Sequence, residues 1–198
     1  NEFLEIQKLI PFLLENKRVQ DEIVILFDQK NGNPEVLSYL LKFNKLPNVQ
    51  TWRGFEFDGH FANWKNLLTT YCAGDYIFQI DADEMPNETL LENLPLILEE
   101  NPDNEVYLVP RVNTVEGLTE EHIKKWRWNV NDKGWVNWPD YQWRIWKKKP
   151  EIKWKNKVHE VLEGYKTYAP LHDTELLALY HPKDIKRQEK QNEYYDTL

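Results

Sequence analysis

Asp81 and Asp83 stand two residues apart in Asp81-Ala82-Asp83-Glu84, directly after the mostly apolar run 76–80 and just before Pro86. The run has the length and composition of a buried strand, and Pro86 bars further pairing. A strand that delivers clustered carboxylates at its C-terminal end is the usual arrangement of an active site in an open α/β sheet. On an ideal strand the two aspartates would point to one side. Like charges so placed repel unless a cation or water separates them. Their hard oxygens suit Mg²⁺ or Mn²⁺. The plainer alternative is a polar turn of solvated acids.

Four further positions carry side chains fit for chemistry. Asp28 closes the apolar segment 23–27 and could accept from a base or ribose, or simply cap its own turn. Lys65, beside Asn66 on an expected helix over 61–73, could meet a phosphate or lie at the surface. His159-Glu160 falls within an expected strand over 158–162, where Glu160 would suit a general base. His181, after the apolar run 176–180, could give a metal a nitrogen ligand, or be a polar residue at the start of a helix.

These residues need a scaffold, and the sequence supplies one. Apolar positions recur at helical spacing from Leu4 to Leu14, and the apolar segment 23–27 follows. A helix over 35–43, a short strand over 49–52, the 61–73 helix ending at Gly74, and the 76–80 strand come next. Helix alternating with strand implies a mostly parallel sheet with right-handed crossovers. Asn87 is a good N-cap, Pro95 is expected to interrupt the helix it starts, and 105–112 reads as a strand. Beyond it come an amphipathic stretch (119–128), strands over 141–147, 152–154 and 158–162, and a charged helix over 183–198. A domain of this kind normally begins with a strand before its first helix, so the first strand is expected to be missing.

Composition sets the outer bounds. The chain has 198 residues, 29% of them charged, and a net charge of −8, which argues against non-specific nucleic-acid binding. Its mean hydropathy is −0.73, and no apolar run reaches the roughly 18–20 residues that span a bilayer. The lone Cys72 rules out an internal disulfide and a cysteine zinc site, and a cytoplasmic location is expected. Residues 143–157 form a basic band, read as facing an anionic substrate or as a solvated strand face. Six of the nine tryptophans fall between Trp126 and Trp146, where they either fill a core or stack on sugar rings.

The order "DEIVILFD", "FANWKNLLTTYCAGDYIFQIDADEMP", "DYQWRIWKKKPEIKWKNKVHEVLEG", "LYHPKD" resembles family 2 glycosyltransferases of GT-A fold. It resembles most the bacterial and viral branch with a DxD(E) motif, a VHE segment and a late histidine. The resemblance implies one α/β GT-A-like domain over 1–198, a mostly parallel sheet flanked by helices. Residues 1–112 would be its nucleotide-sugar half, 113–182 a smaller mixed or antiparallel acceptor-side half, and 183–198 a C-terminal helix. It implies a metal-dependent, inverting transfer from a UDP-, GDP- or dTDP-sugar to a glycan, lipid-linked or protein acceptor. By that resemblance Asp28 contacts the base, Lys65 a phosphate, and Asp81 the ribose and metal. Asp83 binds Mn²⁺ or Mg²⁺, His181 adds a metal or diphosphate contact, and Glu160 is the base, with Asp140 in reserve. Two rivals stand beside it. One is a haloacid-dehalogenase-like phosphatase with Asp81 as nucleophile, which Glu84-Met85-Pro86 fits poorly. The other is a non-catalytic carbohydrate-binding module built on the tryptophan-rich half.

Overall fold

The computed structural model describes residues 3–195. In chain order it runs α1 (Phe3–Asn16), β1 (Ile23–Asp28), α2 (Pro34–Leu40), β2 (Val49–Phe55), α3 (Phe61–Tyr71) and β3 (Tyr76–Phe78). There follow β4 (Met85–Pro86), α4 (Glu88–Glu100), β5 (Val106–Glu116), α5 (Glu120–Trp126) and β6 (Val136–Lys147). The chain ends in β7 (Lys153–Lys155), β8 (Val161–Glu163), β9 (Tyr168–Pro170), β10 (Leu179–Asp184) and α6 (Ile185–Tyr195). The fold is mixed α/β, sheet with flanking helices, as the alternation of segments implies. The last three positions of the expected C-terminal helix, and Asn1 and Glu2, lie outside the described residues. Among the described residues no helix is long and apolar enough to cross a membrane.

The chain divides into two compact units, Asn1–Phe78 with Trp146–Lys166, and Gln79–Ile145 with Thr167–Leu198. In the first, β1 and β2 pair in parallel with each other. Ile10, Phe27, Val36 and Leu40 form the core there, with Phe3, Ile6 and Ile25 packed against it. Trp146 and Trp154 are buried in the same unit, edge to face at 5.6 Å. β7 and β8 make an antiparallel hairpin. Gly164, directly after β8, has φ +91°, and a Cβ there would collide with the carbonyl oxygen of Glu151.

In the second unit β6, β5, β10 and β4 lie side by side in that order, with β9 also on β5. β10 and β9 run parallel to β5, and β4 runs antiparallel to β10. Val106, Val109, Val112, Leu179 and Ile145 are buried there.

Several local expectations change. Residues 79–84 leave the strand, so Asp81-Ala82-Asp83 sits on a turn closed by the Glu84 N–H donating to the Asp81 carbonyl at 2.9 Å. Helix α3 ends at Tyr71 with an extended Cys72 rather than at a Gly74 cap. The Ala73 and Gly74 N–H groups donate to Glu22 Oε1 instead. Pro95 lies inside α4, which continues from Glu88 to Glu100 although an interior proline forfeits a hydrogen bond and crowds the preceding turn. His159 and Glu160 lie on a bend before β8, with His159 at φ 53°. His181 sits within β10, not at a helix start. Asp28 ends β1, whose strand partner is β2, so Asp28 and Asp81 do not close successive strands of one sheet.

Candidate functional site

Alternation along three neighbouring strands of the second unit builds a polar face. Asp140, Gln142 and Arg144 share one side of β6, Arg111 and Asn113 one side of β5, and His181 and Lys183 one side of β10. The register of β5 and β10 pairs Asn113 with His181 directly. Residues between them, Val112 and Ile145 among them, turn into the core. A sheet face so rich in ionisable groups is expensive to bury unless every charge has a partner.

The partners are present. Glu84, its side chain wholly buried, accepts from Arg144 Nη2 at 2.6 Å and from Arg111 Nη1 at 2.9 Å. The same Arg144 Nη2 donates to Asp81 Oδ2 at 2.6 Å. Glu84 Oε2 also accepts the Asp81 N–H at 3.2 Å, so the acid folds back and fixes the turn that carries it. Burial works against the charge on Arg144, and Asp81 and Glu84 overcome it, holding the guanidinium above its ordinary range. Asp140 Oδ2 accepts from Arg111 Nη2 at 2.7 Å and from Asn113 Nδ2 at 2.8 Å, and its Oδ1 from Gln142 Nε2 at 2.8 Å. Burial opposes the charge of Asp140 too, but Arg111, Asn113 and Gln142 hold its carboxyl below the usual range.

A chain of hydrogen bonds then orients His181. Asn113 gives its amide protons to the carboxylate of Asp140, so its oxygen faces His181 Nδ1 at 2.8 Å. A carboxamide oxygen only accepts, so with Asn113 in this orientation the contact calls for the proton on Nδ1. His181 Nε2 is left facing Asp83 Oδ2 at 3.3 Å. Arg187 Nη2 reaches the same oxygen at 3.1 Å. Burial, and to a lesser degree the charge of Asp81, would raise the pKa of Asp83, but His181 and Arg187 hold its carboxyl below the ordinary value. Lys183, two residues beyond His181, is pushed down by burial and by Arg111 and Arg187, against the opposing pull of Asp83 and Glu84.

In the first unit, Lys65 Nζ meets Glu160 Oε1 at 2.8 Å and lies 4.5 Å from the Trp154 ring centre. The neighbouring Asn66 exchanges two 2.9 Å hydrogen bonds with the Trp154 backbone, tying α3 to β7. Asp28 accepts from the backbone N–H of Lys30 and Phe57 and from Asn31 Nδ2, which shapes its own loop.

The structure thus joins Asp83 to His181, links Asp81 and Asp140 to them through Glu84, Arg111 and Asn113, and joins Lys65 to Glu160. Asp28 has no such link within its unit among the described residues. Sequence reading passed over Arg111, Asn113, Lys183 and Arg187, and placed Arg144 in a basic band. The lysines at 148, 153, 155 and 157 are exposed, whereas Arg144 is 3% exposed. The signal was there as repeated alternation: Arg-x-Asn, Asp-x-Gln-x-Arg and His-x-Lys share the spacing of Asp-x-Asp. Among the described residues no group of three or more His, Cys, Asp or Glu is arranged to hold a metal ion. Asp83 offers a hard oxygen of the kind that suits Mn²⁺ or Mg²⁺, and His181 an imidazole nitrogen beside it.

No protein-family model matches the sequence, and no curated protein sequence does either. In three dimensions the chain is similar to the crystal structure of S. aureus TarS 1–349, with TM-score 0.61 and 15% identity over 92% of this chain and 58% of that one. The same TarS segment in complex with UDP-GlcNAc gives TM-score 0.64 and 14% identity, over 92% and 56%. A longer TarS structure gives 0.62 and 14%, over 92% and 35%. The chain spans little more than half of the TarS 1–349 structures, and the likeness is one of fold.

Proposed function

We propose that the chain transfers a sugar from a nucleotide-diphosphate donor to an acceptor hydroxyl, with inversion and with a divalent metal. The observation that carries this reading is the Asp83–His181 pair on the Asp-x-Asp turn, with Arg187 on the same carboxylate and Lys183 on the same strand face. Anionic and cationic groups set side by side suit a metal diphosphate, which needs carboxylate for its ion and cations for its phosphate oxygens. The fold shared with a protein crystallised with UDP-GlcNAc supports the same donor class. Asp83 and His181 would hold Mn²⁺ or Mg²⁺, which when bound supplies neutralising charge to the departing diphosphate. Asp81, engaged by Arg144, orients the turn beside the ribose. Asp28 is assigned the base and Lys65 a phosphate contact.

Glu160 is assigned the proton of the acceptor hydroxyl. That oxygen bonds to the anomeric carbon as the carbon–phosphate oxygen bond breaks, and the nucleoside diphosphate leaves with the bonding electrons. Asp140 fits the base role less well, since four hydrogen bonds and Arg111 stabilise its ionised form. It acts instead as a positioning residue for His181 through Asn113. The phosphatase rival is weakened by Arg144, whose short contact would blunt Asp81 as a nucleophile.

Calorimetric titration of UDP-GlcNAc, GDP-mannose and dTDP-glucose with and without Mn²⁺ tests the reading. One donor is expected to bind only with Mn²⁺, and Asp83→Ala to abolish that binding. Metal-independent binding, or binding unaffected by Asp83→Ala, would overturn it.

A further inference from the structure

The second unit has a cleft of about 660 Å³ that the Asp83 site does not use. One side of it is a hydrogen-bonded turn. Asn131 Oδ1 accepts the backbone N–H of Lys133 and of Trp135, both at 3.0 Å, and the Asn131 carbonyl accepts from Gly134 at 2.9 Å. The turn presents Trp135, and Trp138 stands against it at 4.8 Å with the rings inclined by 62°. Both indoles are half-buried, unlike the fully buried edge-to-face pair of Trp146 and Trp154, and keep part of their apolar surface accessible. Lys133 lies 4.3 Å from the Trp135 ring and pairs with Glu175 at 3.2 Å, while Glu175 accepts from the Tyr180 hydroxyl at 2.9 Å. Lys133 and Glu175 are therefore held in place. Asp132 and Asp173, both exposed, also line the cleft, and Asp173 lies near the Tyr141 hydroxyl.

Open acceptors around aromatic faces match one class of ligand. A pyranose ring stacks its C–H face on an indole and directs its hydroxyls outward in the ring plane, where carboxylates can accept them. Charge narrows the class. Three carboxylates, Asp132, Asp173 and Glu175, face the cleft against one ammonium, Lys133, already paired. Phosphates and uronates would be repelled, and so would the diphosphate of a nucleotide sugar. We propose that this cleft binds a neutral pyranose oligosaccharide, a binding that does not rest on the transferase reading.

The test is calorimetric titration of the whole chain in EDTA, without nucleotide, with cellohexaose, maltohexaose, mannohexaose and chitohexaose. At least one is expected to bind saturably at millimolar concentration. Loss of one stacking face by Trp138→Ala is expected to weaken it about five- to tenfold. Asp173→Asn, at an exposed position, is expected to weaken it by a smaller factor and guards against a folding defect in the tryptophan variant. Mn²⁺-dependent binding of UDP-GlcNAc should be the same in both variants. No binding by any of the four, unchanged binding in both variants, or preference for an oligogalacturonate would overturn the proposal. Saccharide binding that persists in Asp83→Ala while donor binding never appears would sink the transferase reading and leave this cleft assignment standing.

Discussion

Two acid-bearing segments of this chain are held in opposite ways. Around the turn 81–84, Glu84 is shared by two arginines, Arg144 is shared by two acids, and Asp140 takes bonds from Arg111, Asn113 and Gln142. On the bend before β8, Glu160 has one ion pair among the described residues, with Lys65. A network in which each member has several partners fixes geometry, because moving any one group strands the others in a medium of low dielectric. A carboxylate with one partner can give up that partner and take a proton. The first arrangement suits holding a substrate in place and the second suits proton transfer.

The comparison breaks first at Glu160. Glu160→Gln keeps an oxygen for Lys65, so stability should change by about 1 kcal/mol or less. Transfer should fall roughly 10²–10⁴-fold while donor affinity is unchanged, as removal of a general base requires. Rates with a radiolabelled donor, set beside a urea melt, check both halves; normal transfer would remove Glu160 from the mechanism. Arg144→Met should do the reverse. It removes one of the two arginines that pair with the buried Glu84, leaving Arg111 and the Asp81 N–H, and should cost about 3–5 kcal/mol. A loss below about 1 kcal/mol in the same melt would mean that the network does not hold the turn.

A finer cut falls on the hydrogen-bond chain behind His181. Asn113→Ala removes the acceptor that keeps the proton on Nδ1, without touching Asp83. Mn²⁺ affinity should fall about 10–100-fold, the usual cost of losing such a support. The substitution should leave the Lys65–Glu160 pair of the first unit as it is, so a general loss of folding would show in a melt and a local one would not.

The sequence disclosed the order of helices and strands, because helical and strand periods show in single segments. Asp83 and His181 stand out in the sequence as polar residues near the ends of apolar runs, and the fold sets them 3.3 Å apart. The sequence did not disclose that 79–84 turns away from the strand. That depends on Glu84 folding back onto Asp81 and on two arginines from strands β5 and β6, at sequence distances of 27 and 60 residues. Nor could it tell a buried arginine from exposed lysines within one basic band, since burial of Arg144 is decided by the acids it meets. The tryptophans divided for the same reason: Trp146 and Trp154 went to a core, Trp135 and Trp138 to a cleft.

The smallest effect separates two depressed carboxyls by cause. Asp140 is held down against burial chiefly by the charge of Arg111; Asp28 is held down against burial by neutral donors, Asn31 and the Phe57 and Lys30 amides. A carboxyl with a folded-state value below its ordinary 3.8 adds stability above that pH, and this is lost as pH falls through the folded value. Asp140→Asn lacks the contribution at every pH. The variant should therefore be less stable than the parent at pH 7, and the gap should close as pH falls below 3.8 because the protonated acid resembles the amide. Asp28→Asn should show the same convergence with a smaller starting gap, since a carboxamide oxygen still accepts from neutral donors. Urea melts of the three proteins at stepped pH values measure both gaps. Equal gaps would mean that the Arg111 charge adds nothing beyond ordinary hydrogen bonding, and the contrast between a charge-built site and a loop-capping acid would fail.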